Sequence, residues 1–344
     1  MDTGIYVYQV DMVTGRLSLL STLQGVDNPS YLAAHPTRPH VYAVNEVKEF
    51  SGKPGGSVTA FSVDGETDLL ALMNQKPTIG VGPCYVSLDQ TNRYALVANY
   101  GGGSVTAIPL KEDGSLGDPT DHIQHEGGSV HPTRQTGPYA HCIMPAPTND
   151  RILVCDLGVD RIYVYQLNPE TGRLESGRVP WIEVPEGSGP RHLAIHKNGR
   201  FIYTINELNS TVSAYEVDDD SCSYNLRPIQ TLPTIPKAYS ETNYCADVHV
   251  HPSGRFLYGS NRGHDSIVIY SIDTESGRLS LVGHESTRGS SPRSFAIDPS
   301  GSLMVVANQN SNNIVSFFIH GDTGELSFTR HEVEVSMPVC VKFR

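Results

Sequence analysis

The chain lacks any apolar run near the ~18 residues that cross a membrane as a helix. Its first residues, Met1-Asp2-Thr3-Gly4-Ile5-Tyr6, carry neither the basic nor the apolar region of a secretory signal. Positive charge is scarce: 25 Lys and Arg against 37 Asp and Glu leave a net charge of −12 over 344 residues. That balance argues against a nucleic acid or an anionic membrane as partner, and leaves room for a local basic pocket. The six cysteines (Cys84, Cys142, Cys155, Cys222, Cys245 and Cys340) form no C-x-x-C pair, so reduced, mostly buried thiols in a cytoplasmic protein are expected. No 3.6-residue apolar period marks a helix, and no G-x-S-x-G elbow is present. Gly101-Gly102-Gly103 reads as a turn with no following helix, which excludes a helix-capped phosphate loop. His249 and His251 alternate on one strand without a third ligand, so no metal, and no other cofactor, is expected.

What the chain has is a repeat. A Pro starts an apolar strand that runs to a His/Asp and Pro/Gly/Asn turn; a second apolar strand then ends in Asn or Asp. Copies begin at Pro29, Pro83, Pro138, Pro190, Cys245, Pro292 and Pro338, spaced 54, 55, 52, 55, 47 and 46 residues apart. A second motif alternates with the first: Ile5-Tyr6-Val7-Tyr8, Val58-Thr59-Ala60-Phe61, Val105-Thr106-Ala107-Ile108, Ile162-Tyr163-Val164-Tyr165, Val212-Ser213-Ala214-Tyr215, Ile267-Val268-Ile269-Tyr270 and Ile314-Val315-Ser316-Phe317. Most of these lead to a turn such as Glu275-Ser276-Gly277-Arg278-Leu279 and a further strand. Short β-branched and aromatic runs between turn residues are strand and hairpin signals. The expected fold is therefore all-β: a single domain, 1–344, forming a seven-bladed β-propeller of four-stranded antiparallel blades. The last blade is closed by N- and C-terminal strands. With 28 residues before Pro29 and 7 from Pro338 onward, it lacks roughly one strand of a ~50-residue unit.

Antiparallel pairing puts the start of strand one and the end of strand two at the same edge of a blade. With strand one innermost, that edge opens on one mouth of the central channel. Strand-one starts bring His141, Arg191, His192, Asp247 and Arg293 there; strand-two ends bring Glu46, Asn99, Tyr100, Glu207, Arg262 and Gln309. The Asn at Asn45, Asn99, Asn206, Asn261 and Asn308 recurs too regularly to be specific, and reads as a turn or cap. His35, His196 and His251, matched by Asp89 and Asp298 at the opposite edge, read as turn chemistry. Ionisable residues that break the repeat (His141, Arg191, Glu207, Arg262 and Arg293) are the functional candidates, because an unliganded charge at a channel mouth is costly. The Gly-rich segment His122–Gly137, with Arg134 and Gln135, reads as a lid or substrate loop.

Gly137-Pro138-Tyr139-Ala140-His141, Asp156-Leu157-Gly158 with Asp160-Arg161, Gly189-Pro190-Arg191-His192, Asn206-Glu207, Ser260-Asn261-Arg262-Gly263 and Ala307-Asn308-Gln309 together resemble the seven-bladed lactonase family. Its members include propeller-type 6-phosphogluconolactonases and fungal carboxy-muconate cyclases. The resemblance spans nearly the whole chain and implies an active site at the channel mouth. It implies His141, Arg191, Glu207 and Arg262 as the catalytic set. Glu46, Asn99, Tyr100, Arg134, Gln135, His192, Asp247, Arg293 and Gln309 remain candidates for substrate binding. Two features depart from the family: its opening Gly-Thr-Tyr strand is absent, and Tyr139 stands where a second His is common.

Hydrolysis of a sugar lactone is the expected activity, with 6-phosphogluconolactone as the substrate implied by the resemblance. Glu207 or His141 would act as general base, His141 as acid, and Arg191 and Arg262 would stabilise the oxyanion or bind a phosphate or carboxylate. The same residues fit cycloisomerisation of a carboxylated muconate, since both substrates are small anions. A non-catalytic binding platform is the third reading, as propellers commonly serve that way.

Overall fold

The computed structural model describes residues 4–148, 151–220 and 223–344. It contains β-strands and no helix among these residues. Six four-stranded antiparallel sheets follow one another along the chain. Blade one is Pro29–Ala34, His40–Asn45, Ser57–Val63 and Leu70–Pro77. Blade two is Pro83–Leu88, Tyr94–Asn99, Ser104–Pro109 and Asp121–Gln124. Blade three is Ala140–Pro145, Ile152–Asp156, Arg161–Leu167 and Leu174–Glu183. Blade four is Pro190–Ile195, Phe201–Asn206, Thr211–Asp220 and Ser223–Pro233. Blade five is Tyr244–Val250, Phe256–Arg262, Ser266–Ile272 and Leu279–Ser286, and blade six is Pro292–Ile297, Leu303–Asn308, Asn313–Ile319 and Leu326–Glu334. The first strands of neighbouring blades lie against one another, so strand one is innermost and the sheets radiate as in a propeller.

Gly4–Val10 and Leu17–Gln24 form a two-stranded sheet between blades six and one. Leu17, Tyr8 and Val10 pack on Leu303, Val305 and Phe318 of blade six. Ile5 and Val26 pack on Ala43 and Phe61 of blade one. The expected first strand from Pro338 is not one: residues 338–344 belong to no ladder and are held by separate contacts. Leu32 N donates to Cys340 Sγ at 3.4 Å, Val341 N to Ser294 Oγ at 3.3 Å, and Lys342 Nζ to the Tyr31 hydroxyl at 2.9 Å. A first strand bonds only to the second strand of its own blade, and here none stands beside it. A cavity of about 1100 Å³ lies between Gly4–Val10 and 338–344 instead.

A Gly-x-Leu turn fastens blades two, five and six to the blade before each. Tyr42, Tyr203 and Tyr258, all on second strands, donate to the carbonyls of Gly114, Gly277 and Gly324 in the following blade at 2.8, 3.1 and 2.8 Å. These glycines have positive φ, and the preceding blade leaves no room for a side chain. A Cβ on Gly277 would sit 2.4 Å from the Phe201 ring, and one on Gly324 2.5 Å from Phe256. Gly277→Ala is therefore expected to cost about 1–3 kcal/mol in urea unfolding, through overpacking and the left-handed backbone. Gly65→Ala, with nothing within 4 Å of its Cβ, should stay within about 0.5 kcal/mol of the parent.

Candidate active site

The innermost strands carry a shared irregularity. In all six blades the first strand slips register against the second near its start, just after its first residue in five and after its second in blade five; Pro29 pairs with Asn45, for example, but Tyr31 pairs with Val44. The residue left over is Ser30, Cys84, His141, Arg191 and Arg293 in five blades, and in blade five the slip falls at Ala246-Asp247. A bulge of this kind re-aims a side chain out of the ladder. In blade three Ala140, not Pro138, holds the first position, because Ala140 pairs with Asp156 as Pro190 pairs with Asn206. His141 is thereby the structural counterpart of Arg191 and Arg293.

Glu207, just past the second strand of blade four, is the centre of the cluster these residues form. Its Oε2 lies 2.9 Å from Arg191 Nε and 2.7 Å from Arg262 Nη2, and its Oε1 pairs with Arg134 Nη2. Burial disfavours the charged carboxylate, but the guanidiniums of Arg262, Arg191 and Arg134 outweigh it and hold the carboxyl down at about 2. Backbone carbonyls take further donors: Arg191 Nη1 reaches Ala246 O at 2.6 Å, and Arg262 Nη2 reaches Cys245 O at 2.8 Å. Arg134 comes from the connection between blades two and three. His131 Nδ1 accepts from Arg134 N at 3.2 Å, and Gln135 accepts from His131 N at 3.0 Å and donates to Leu157 O at 2.9 Å. The guanidinium of Arg134 also touches the Tyr100 hydroxyl at 3.4 Å and stands 5.3 Å from the Tyr244 ring centroid.

His141 is buried beside this cluster, its ring 5.3 Å from Tyr100 and 5.2 Å from His192, its Nδ1 3.7 Å from Cys84 Sγ. Burial, then the charges of Arg191, His192 and Arg293, push its pKa well below the usual imidazole range, so it is neutral. One layer deeper, Tyr31, Tyr85 and His192 meet across the channel, with Tyr31 stacked on Tyr85 at 4.1 Å and both edge-on to His192. His192 Nδ1 lies 2.9 Å from Asp247 Oδ1 and its Nε2 3.3 Å from Arg191 Nη1. Those partners place the proton on Nδ1. Burial and Arg191 lower His192 to about 4 despite Asp247. Asp247 in turn pairs with His249 at 3.3 Å and accepts from Ser294 Oγ at 3.2 Å.

The candidates read from the sequence thus divide. His141, Arg191, Glu207, Arg262, Arg134, Tyr100 and His192 converge, with Asp247 behind His192. Arg293 couples electrostatically to Arg191, His141 and Cys84. Asn99 turns away from the mouth: fully buried, its Nδ2 donates to Ser104 and Thr106 at 3.2 and 3.1 Å. Gln135 is spent on holding its own loop. Gln309 lines the cavity beside residues 338–344, and Glu46, half-buried, has no ion-pair partner among the described residues. The recurrent Asn45 and Asn261 donate to backbone carbonyls of Asp27 and Thr234, as a cap does. Sequence reasoning passed over Tyr31, Tyr85, Tyr244 and Cys84. Tyr31 and Tyr85 stand two places after the repeated Pro, where His192 stands in blade four, and that position was the available signal. The five described cysteines are unpaired, and Cys222 lies outside the described residues.

The sequence model described as "Lactonase, 7-bladed beta-propeller" matches residues 1–343. The chain belongs to this family. A 6-phosphogluconolactonase of Bacillus subtilis (strain 168) is 34% identical over 341 residues, 99% of this chain and 94% of the relative. A putative 6-phosphogluconolactonase of Bacteroides fragilis superposes with a TM-score of 0.92 at 35% identity, covering 100% of this chain and 94% of that one. The periplasmic gluconolactonase of Pseudomonas aeruginosa gives 0.91 at 33% identity, covering 98% and 94%.

The pKa shifts set the acid stability of this family member. His192 binds a proton at 6.5 in the unfolded chain and only at about 4 in the fold, and His141 is displaced in the same direction. Both lend full support above pH 6.5 and lose it as pH falls below that value, His192 down to about 4, because only the unfolded chain takes up the protons. Glu207 adds a second loss from about pH 4.5 down to about 2. Melting temperatures measured from pH 8 to pH 3 should decline from 6.5 downward, and His141→Gln should flatten the upper part of that decline.

Proposed function

We propose that the protein hydrolyses a sugar lactone, 6-phosphogluconolactone to 6-phosphogluconate, at the channel mouth. The observation that carries this reading is a buried His141 beside three guanidiniums gathered on one buried carboxylate. The names of the relatives support the substrate class. In the reaction, water adds to the lactone carbonyl and gives up a proton to His141. The oxyanion that develops is met by donors of Arg191 and Arg262. Collapse breaks the ring C–O bond, and His141 returns the proton to the departing oxygen, leaving an acid and a hydroxyl. With its carboxyl held at about 2, Glu207 at rest serves to fix the arginines rather than to take a proton.

We further propose that Gly4–Val10, Leu17–Gln24 and residues 338–344 are a seventh blade without its second strand. Packing of the two-stranded sheet on blades six and one supports this, as does the cavity where that strand would run. A cytoplasmic setting fits the unpaired cysteines.

Purified protein is expected to open 6-phosphogluconolactone far faster than the spontaneous reaction. His141→Gln should cut kcat by about 10²-fold or more, and Arg262→Lys should lower it while the fold is kept. Near-normal turnover in both variants would remove this site assignment. Turnover of a carboxy-muconate in place of the lactone would replace hydrolysis by cycloisomerisation.

A further inference from the structure

Three arginines share Glu207, and a fourth, Arg293, holds in blade six the bulge position that Arg191 holds in blade four. Arg293, the bulged residue of blade six, has no hydrogen bond or ion pair among the described residues, although it is half-buried. Its positive charge opposes that of Arg191 and disfavours the charged form of His141 as well. Four guanidiniums against the three carboxylates of Glu207, Asp247 and Glu46 leave a positive excess of one in a chain of net −12. Two neighbouring cations with no bridging carboxylate repel one another unless an anion joins them. A planar guanidinium in that place suits a tetrahedral oxyanion, which can accept two parallel N–H bonds. Phosphate monoesters carry about −1.5 to −2 at neutral pH and are attracted to a local positive excess. Glu46, the other unpaired charge at the mouth, sits on blade one near Cys84. It suits sugar hydroxyls and would repel the phosphate toward Arg293.

We propose that Arg293 reads the phosphate of the substrate, and so sets the preference for a phosphorylated over an unphosphorylated sugar lactone. The inference rests on the lactone-hydrolysis reading and adds to it. Relatives carry both kinds of name, 6-phosphogluconolactonase and gluconolactonase, so family membership does not decide the matter.

The test compares the wild type, Arg293→Met and Arg293→Lys. Each is assayed on 6-phosphogluconolactone and on glucono-δ-lactone, with melting temperatures in phosphate-free buffer and in inorganic phosphate. The ratio of kcat/KM values, phosphorylated over unphosphorylated, should fall about ten- to a hundredfold in Arg293→Met, whatever loss the two substrates share. Arg293→Lys should recover part of the ratio. Inorganic phosphate should raise the melting temperature of the wild type and not that of Arg293→Met. Without phosphate, Arg293→Met should melt no lower than the wild type, since a repulsive charge is gone. A ratio unchanged within twofold, an equal phosphate shift in both proteins, no shift in the wild type, or a clear loss of stability without phosphate would each overturn the proposal. If the wild type opens neither lactone, the hydrolysis reading fails by itself, and the phosphate measurement still decides whether Arg293 holds an anion.

Discussion

Three guanidiniums share one buried carboxylate, and the rest of the architecture answers to that arrangement. Taking such charges out of water is costly, and the cost is recovered only when geometry is close and leftover donors find acceptors. Glu207 and Arg191 come from blade four, Arg262 from blade five, and Arg134 from the connection between blades two and three. Their separation along the chain reaches 128 residues, from Arg134 to Arg262. Only a rigid ring keeps elements so distant within ion-pair reach. Tyrosine-to-glycine bonds tie blade one to two, four to five and five to six at the turns between third and fourth strands.

Much of this was legible in the repeat. Seven starts at near-regular spacing announced a propeller, and residues that broke the pattern with charge marked the mouth. The limits were physical. Blade three has lost the proline at its first position, so aligning on Pro138 displaced His141 by two places from Arg191 and Arg293; only the ladder shows the three in one slot. Recurrence marked Asn99 as a cap, which its partners bear out, whereas Gln135 has the same chemistry as a binding residue and only its partners reveal that it is spent within the fold. The residue count already showed the last blade short of one strand; what the pattern did not show is that residues 338–344, with a first-strand sequence, form no ladder once that neighbour is missing.

The bulges connect fold and site. A regular antiparallel ladder sends side chains alternately to the two faces of the sheet, and in a propeller both faces pack against neighbouring blades. A regular first strand would bury His141, Arg191 and Arg293 between apolar sheets. One extra residue per strand takes each of them out of the regular alternation, and the residue after it, Tyr31, Tyr85 and His192 in blades one, two and four, meets its counterparts across the channel. The same device repeated around the ring gives a mouth whose chemistry varies from Ser30 to Arg293 with little change in the surrounding cores.

Under the proposed reaction, the resting charge cluster also bears on how binding and chemistry are coupled. Glu207 is a weak base while three guanidiniums surround it. An anionic substrate competes for those same guanidiniums, above all for Arg134, the most exposed of the three. Each hydrogen bond that turns from Glu207 to the substrate removes some of the positive potential that depresses its carboxyl, and its basicity rises. The carboxylate that organises the empty site would then gain proton affinity when the site is filled. Burial, which raises a carboxyl pKa, works in the same direction once the counter-charges are drawn away. In that state Glu207 and His141 can share the proton removed from water, and the energy of binding a charged group remote from the carbonyl contributes to the step at the carbonyl.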